Sequence, residues 1–271
     1  MKKLFSILAM GLALCACVGQ KDDPEPEPVD PPTPVDPTPP DPTPEPESTV
    51  FFHRVLALEF TATWCQHCPH MAEAIEDALK ERPGRIVTLA VHYSDELMAD
   101  ESNALNSAFG VGAYPTLFMN WDKKSVTTQA DVSFITSFID KALETETCGI
   151  AAESSVTDGT LTVNAKVKSV ADGDYSMVLA NVEDGIWVEY QEGYGENYTC
   201  NDVLRGFIDG GVSGKSLGTL APEQEGTVTF TSPAPESGRL ALIVFSGGKA
   251  VNAMYLGLNE SKDYEYEKAD S

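Results

Sequence analysis

The sequence predicts an α/β domain followed by an all-β sandwich domain, and three observations carry that expectation. Short apolar runs alternate with segments of helical spacing as far as about residue 146. Beyond Cys148 strand-length runs are separated by Gly, Asp and Ser turns, and no long helical pattern interrupts them. Residues 24–48 contain almost nothing apolar, so the foldable chain begins after them. The predicted organisation is a signal peptide over 1–17, a tether over 18–48, the α/β domain over 49–147, the sandwich over 148–262 and an acidic tail over 263–271.

In the first domain, Val55 to Phe60 is an apolar run of strand length. From Gln66 to about Glu81, Met71, Ala74, Ile75, Ala78 and Leu79 recur at helical spacing, and Pro83-Gly84 stops the run. Arg85 to His92 reads as a second buried strand, and Leu97 to Phe109 as a partly helical segment with Ala104, Leu105, Ala108 and Phe109 on one face. Pro115 to Trp121 is a third strand and Ser125 to Thr128 a short fourth. Val132, Ile135, Phe138, Ile139, Ala142 and Leu143 mark a last amphipathic helix ending near Glu146, and the element order implies helices on both faces of the sheet. In the second domain, strands are expected over 161–168, 175–181, 226–231, 240–245 and 251–256, with an irregular glycine-rich excursion over 190–218.

Charge narrows the function classes. The 271 residues include 42 Asp plus Glu against 18 Lys plus Arg, a net charge of −24, and residues 49–271 alone still carry −18. Such a surface repels phosphate, which excludes a nucleic-acid-binding protein. Residues 1–17 open on Lys2-Lys3, continue through an apolar stretch to Leu14 and end on small residues and cysteine, the pattern of a signal peptide too short to span a bilayer. Leu14-Cys15-Ala16-Cys17 resembles a bacterial lipobox, with Cys17 as the acylated residue. Cys15 fits less well because Leu14 is large for the position before cleavage, and ordinary secretion with cleavage near Ala16 is the alternative. The polar stretch Val18 to Asp23 resembles the export signal of surface-displayed lipoproteins of Gram-negative bacteria. The expected location is therefore the outer membrane, on its periplasmic face or the cell surface, with the lipid bilayer as partner through Cys17. The tether that follows holds 12 of the 18 prolines and is expected to be stiff and extended.

Cys65-Gln66-His67-Cys68 stands where the first strand ends and the first helix begins. A helix N-terminus favours thiolate over thiol, and His67 adds a potential cation beside it. Two cysteines at this spacing can close a small disulfide, with Cys65 exposed as attacking sulfur and Cys68 behind it as resolving sulfur. Half a zinc site has the same spacing. With His67 or His70 as third ligand, however, no second C-x-x-C or H-x-x-x-H supplies the rest, so no metal is expected.

The segment Glu59-Phe60-Thr61-Ala62-Thr63-Trp64-Cys65-Gln66-His67-Cys68 resembles the active-site segment of the thioredoxin superfamily, and Phe109-Gly110-Val111-Gly112-Ala113-Tyr114-Pro115-Thr116-Leu117 resembles that family's approach to its cis-proline. The similarity covers about residues 50–146. With the lipobox, the tether and the trailing β-domain, the chain resembles the thioredoxin-like outer-membrane lipoproteins called the Omp-twenty-eight-related group. The resemblance implies a thioredoxin-like fold and a thiol-disulfide oxidoreductase acting on protein thiols or disulfides without a cofactor. It casts Cys65 as nucleophile, Cys68 as resolving thiol, Glu59 as buried proton relay, Pro115 as the cis-proline and Trp64 and Tyr114 as client-contacting neighbours. His67 just before the second cysteine is the arrangement of more oxidising relatives such as disulfide isomerases. Tyr114 departs from the usual smaller aliphatic neighbour of the proline.

Cys148 and Cys200 are the remaining thiols of the mature chain, and in an oxidising compartment they are expected to pair. Two separate buried thiols are the alternative. Trp187, Tyr190, Tyr194 and Tyr198 are expected in the sandwich core or its covering loop, with a binding surface as the alternative. The rival to an enzyme is a surface binding or scaffold lipoprotein in which Cys65–Cys68 is a structural disulfide.

Overall fold

The computed structural model describes residues 49–268; the predicted signal peptide, Cys17, the predicted tether as far as Ser48 and residues 269–271 lie outside the described residues. β1 (Val55–Thr61) is buried along its whole length, as an apolar run without alternation requires when both faces of a sheet are covered. It pairs in parallel with β2 (Ile86–His92) and antiparallel with β3 (Thr116–Met119), whose far edge carries β4 (Val126–Thr127). Between β1 and β2 runs α1 (Cys68–Glu81), with Pro69 in its first turn. The helix ends just ahead of Pro83-Gly84, where Gly84 takes a φ of 73° that favours glycine. It starts two residues later than its periodicity predicts, because the Cys65 carbonyl accepts the Cys68 N–H in a separate turn. α2 (Ser102–Phe109) is shorter than the predicted 97–109 segment, since the Asp95 carboxylate captures the Leu97 N–H in a local turn. α3 (Val132–Leu143) is capped by Asp131, which accepts from the Ser133 and Phe134 N–H groups.

One face of this sheet is Val55, Ala57, Ile86, Leu117 and Met119, packed on Met71, Ile75 and Ala78 of α1 and on Ile135 and Ile139 of α3. The opposite face is Leu56, Leu58, Phe60, Val87, Leu89 and Val91. Helices were expected there too, but α2 covers only part of it with Leu105 and Phe109. Strands of the C-terminal region cover the rest with Ala180, Val182, Leu204, Ala241, Ile243, Ala250 and Ala253.

That region contains β5 (Gly149–Thr157), β6 (Thr160–Lys168), β7 (Gly173–Glu183), β8 (Ile186–Gln191), β9 (Gly195–Cys200), β10 (Val203–Ile208), β11 (Lys215–Leu220), β12 (Glu225–Pro233), β13 (Arg239–Ser246), β14 (Lys249–Leu256) and β15 (Ser261–Lys262). The sheet β12-β6-β5-β15 faces β7, β11, β13 and β14, and Leu161, Val163 and Phe230 interleave with Met177, Leu179, Leu242 and Met254 in the sandwich core. Along β7 and β13, alternate residues serve different cores: Leu179 and Leu242 point into the sandwich, Ala180 and Ala241 toward β1 and β2.

The α/β part and the strand-rich part are continuous. β10 pairs antiparallel with β7 and in parallel with β2 at Val203 opposite Ala90, where the Ala90 N–H donates to Asp202 O at 2.8 Å. The resulting order is β14-β13-β7-β10-β2-β1-β3-β4, with β11 also paired to β7, so one sheet runs across the predicted boundary at 148. β10 lies inside the stretch expected to be irregular. Register breaks at Leu204/Gly206 and Ser216/Gly218 interrupt the alternation of β10 and β11 and hide them from a periodicity reading. The described part of the predicted acidic tail is likewise not free. Glu267 forms a two-pronged ion pair with Arg85 at 2.6 and 2.7 Å, and Tyr266 stacks on Phe51.

The expected Cys148–Cys200 disulfide is absent: both are free, buried thiols. Cys148 immediately precedes β5 and lies in the sandwich core, whereas Cys200 ends β9 among Leu97, Val188 and Val203 in a separate apolar cluster. Burial pushes each thiol up to about 12. Alkylation of the unfolded, unreduced protein is expected to label both cysteines and alkylation of the native protein neither; a linked peptide pair would reverse this assignment.

Candidate active site

Cys65 and Cys68 form a disulfide in the turn between β1 and α1. Cys68 is the first residue of the helix and His67 its N-cap, so the pair sits at the positive end of the helix dipole. The His67 side chain is exposed, with a ring nitrogen 3.2 Å from Gln66 Nε2. Cys65 differs from expectation: it is 5% exposed against 2% for Cys68. Its cover comes from neighbours placed by three separate parts of the chain.

The first neighbours are aromatic. Trp64, 48% exposed, donates its indole N–H to Tyr93 O at 3.0 Å and meets Tyr114 edge-on at 5.2 Å. Tyr114 packs against the cysteine pair, stacks on Tyr93 at 5.7 Å and accepts from Asn106 Nδ2. The Tyr114-Pro115 bond is cis, as the resemblance implied.

The second neighbour is a buried, hydrogen-bonded histidine–aspartate pair. His92 Nδ1 lies 2.8 Å from Asp95 Oδ2, which also accepts the Thr63 N–H at 2.8 Å. Burial raises the Asp95 carboxyl, but the hydrogen bonds from His92, Thr63 and Leu97 outweigh it and hold the group below its usual range. This pair fixes the turn from the β2 side.

The third neighbour is the β8–β9 hairpin. Gln191, 2% exposed, donates from Nε2 to Cys65 O at 3.0 Å and Ala62 O at 3.2 Å, and the Glu192 N–H donates to Thr63 O at 2.8 Å. Gly193 presses on Gln66 so closely that a Cβ there would stand 2.6 Å from Gln66 O, and its φ is +84°. Tyr194 reaches α1, bonding Glu73 and packing on His70 at 5.7 Å. Gly193→Ala is therefore expected to lift the hairpin tip off the Cys65 turn and raise the alkylation rate of reduced Cys65 severalfold, with a destabilisation of about 1–3 kcal/mol; unchanged alkylation would mean that the hairpin gives no cover.

Glu59 is on the α1 side of β1, 3% exposed, and its Oε1 has no hydrogen-bond partner among the described residues. Burial first, and the Asp202 carboxylate second, raise it to about 8. It faces a cavity of about 30 Å³ that also touches Cys68, His92, Gln191, Tyr198 and Cys200. That is room for a water molecule with several polar partners. Of the residues singled out in the sequence, Glu59, Trp64, Cys65, Cys68, Tyr114 and Pro115 converge here, and His67 lies at the rim. Cys148 does not belong. Sequence reasoning missed Asp95, His92 and Gln191, since a lone His, Asp or Gln carries no spacing signal; Cys200 it assigned to a bridge.

A family model described as thioredoxin matches residues 47–141. Residues 47–141 are a thioredoxin-superfamily domain. An alignment over 152 residues is 30% identical to protein disulfide-isomerase of Gallus gallus, and it covers 51% of this chain and only 28% of that relative's length. Among solved structures, HBP35 of Porphyromonas gingivalis superposes with a TM-score of 0.66 at 16% identity, over 83% of this chain and 81% of that one. Protein AGR_C_4864 of Agrobacterium tumefaciens matches with a TM-score of 0.52 at 19% identity, over 77% of this chain and 96% of that one. Both are likenesses of fold, and both reach beyond the thioredoxin domain into the strand-rich region that follows it.

Proposed function

We propose that the protein is a lipid-anchored, extracytoplasmic thiol-disulfide oxidoreductase of protein clients. The observation that carries this reading is the Cys65–Cys68 disulfide at a helix N-terminus, backed by a buried carboxyl with an unpaired oxygen on a cavity shared with Cys68. In the reducing direction, the Cys65 thiolate attacks one sulfur of a client disulfide and the other leaves as a thiolate. Cys68 then gives its proton to Glu59, attacks the Cys65 sulfur and expels the second client thiolate, so two electrons pass to the client and the Cys65–Cys68 bond forms. In the oxidising direction, a client thiolate attacks Cys65, and Cys68 leaves and takes the Glu59 proton. A second client thiolate then attacks the client sulfur bonded to Cys65, closing the client disulfide and leaving Cys65 and Cys68 reduced. A Glu59 raised to about 8 is mostly protonated at pH 7, the state needed for that donation.

The low exposure of Cys65 supports the rival reading of a structural disulfide in a binding lipoprotein. The reduction potential of the pair decides between them. An active couple is expected between about −270 and −120 mV, the range of thioredoxin-like oxidoreductases, and a value below about −300 mV would overturn the enzyme reading. The anchor has its own test: Cys17→Ser is expected to release the protein from membranes, whereas Cys15→Ser leaves it attached.

A further inference from the structure

The β8–β9 hairpin does more than cover the Cys65 turn. It forms a two-stranded sheet of its own, so each strand keeps an edge without a strand partner among the described residues. Trp187 is 60% exposed and Tyr190 52%, large aromatic surface that a two-stranded ribbon does not need for its own packing. Glu189, Glu192 and Glu196 are exposed on the same ribbon, and residues 169–204 contain no Lys or Arg. The tip is bonded to Ala62, Thr63 and Cys65, so anything lying along the hairpin is delivered to the reactive sulfur.

We propose that the β8–β9 hairpin is a docking surface for an extended, cationic polypeptide segment carrying the client cysteine. This rests on the oxidoreductase reading and assigns its substrate class. An open strand edge offers backbone hydrogen bonds to an extended chain of any sequence. The exposed aromatic rings take apolar side chains and the aliphatic stems of Lys and Arg. The three glutamates select positive charge and disfavour the acidic segments that dominate this chain itself. The C-terminal region thereby supplies one wall of the client groove, with Trp64 and Tyr114 on the other side of Cys65.

The test uses two extended peptides that differ only in Lys or Glu flanking a cysteine linked to thionitrobenzoate, whose release reports attack by reduced Cys65. At low salt the Lys peptide is expected to react about tenfold faster, the product of three exposed ion pairs of ordinary strength. Glu189→Gln, Glu192→Gln and Glu196→Gln together are expected to reduce that ratio to about twofold. The charge-matched set Asp158→Asn, Asp172→Asn and Glu236→Gln, on exposed residues outside the hairpin, retains it. Binding of the same peptides with Ser in place of Cys, followed by tryptophan fluorescence on the Cys65→Ser/Cys68→Ser protein, reads docking without chemistry. There Tyr190→Ala is expected to weaken the Lys peptide about fivefold. Equal loss of discrimination by the two charge sets, or unchanged affinity of Tyr190→Ala, overturns the proposal. No thionitrobenzoate release from either peptide, with peptide binding intact, overturns the oxidoreductase reading and leaves the docking surface standing.

Discussion

Glu59→Gln is expected to stabilise the oxidised protein by about 3 kcal/mol at pH 7 and to slow the Cys68 step roughly 10²-fold. The stability effect follows from linkage. Glu59 has a folded pKa of about 8 against an ordinary 4.5, so between those values the folded state holds a proton that the unfolded state has lost. Stability therefore falls as pH rises through this window, by about 1.4 kcal/mol per pH unit, and levels off above about 8. Glutamine has no proton to lose, so the variant's denaturation midpoint is expected to be flat in pH from this source where the wild type declines. The kinetic effect has the opposite sign because in the proposed mechanism the same carboxyl moves the Cys68 proton. Reductive resolution in the wild type is expected to rise with pH and level off above about 8, oxidative transfer to fall there, and both inflections to vanish in Glu59→Gln. Equal pH dependence of stability in the two proteins would mean that Glu59 is ionised in the folded state.

Under the proposed function, Cys68→Ser is expected to convert a turnover oxidoreductase into a trap. The first attack by Cys65 still forms a mixed disulfide, but its intramolecular exit is gone, so client adducts accumulate and multiple-turnover exchange falls to the uncatalysed rate. Cys65→Ser is expected to trap little, since Cys68 is 2% exposed and lies behind the turn. The structure adds a control that the sequence did not suggest, because Cys200 lines the same cavity as Cys68. Burial and the Asp95 and Glu59 carboxylates raise its thiol to about 12, leaving about one thiolate in 10⁵ at pH 7. Cys200 is therefore not a substitute resolving group, and Cys68→Ser/Cys200→Ser is expected to trap as much client as Cys68→Ser alone. Adducts recovered at equal low yield from Cys65→Ser and Cys68→Ser would remove the assignment of nucleophile and resolving thiol.

Local pattern was enough to read the thioredoxin-superfamily domain. β1, α1, β2, β3 and α3 announce themselves through apolar runs and helical spacing, because each buries a face of its own against an immediate neighbour. Glu59, Trp64, Cys65, Cys68, Tyr114 and Pro115 were legible because they lie in two short contiguous motifs. Sequence by itself also determined the acidic character, the polar, proline-rich composition of residues 24–48 and the strand-rich nature of the region after Cys148.

What only the tertiary structure decided is which distant segments meet at that site. β10 has a broken register and pairs with β2 across more than a hundred residues, so no period marks it, yet it makes the two regions one sheet. The fate of Cys148 and Cys200 depends on which layer each strand enters, and they enter different cores. Gln191 is a single polar residue at a hairpin tip, with nothing in its neighbours to show that its amide ends on the Cys65 carbonyl. Pairings of this kind are set by the packing of whole layers, and a residue's side-chain partners across such a distance are written in no local spacing.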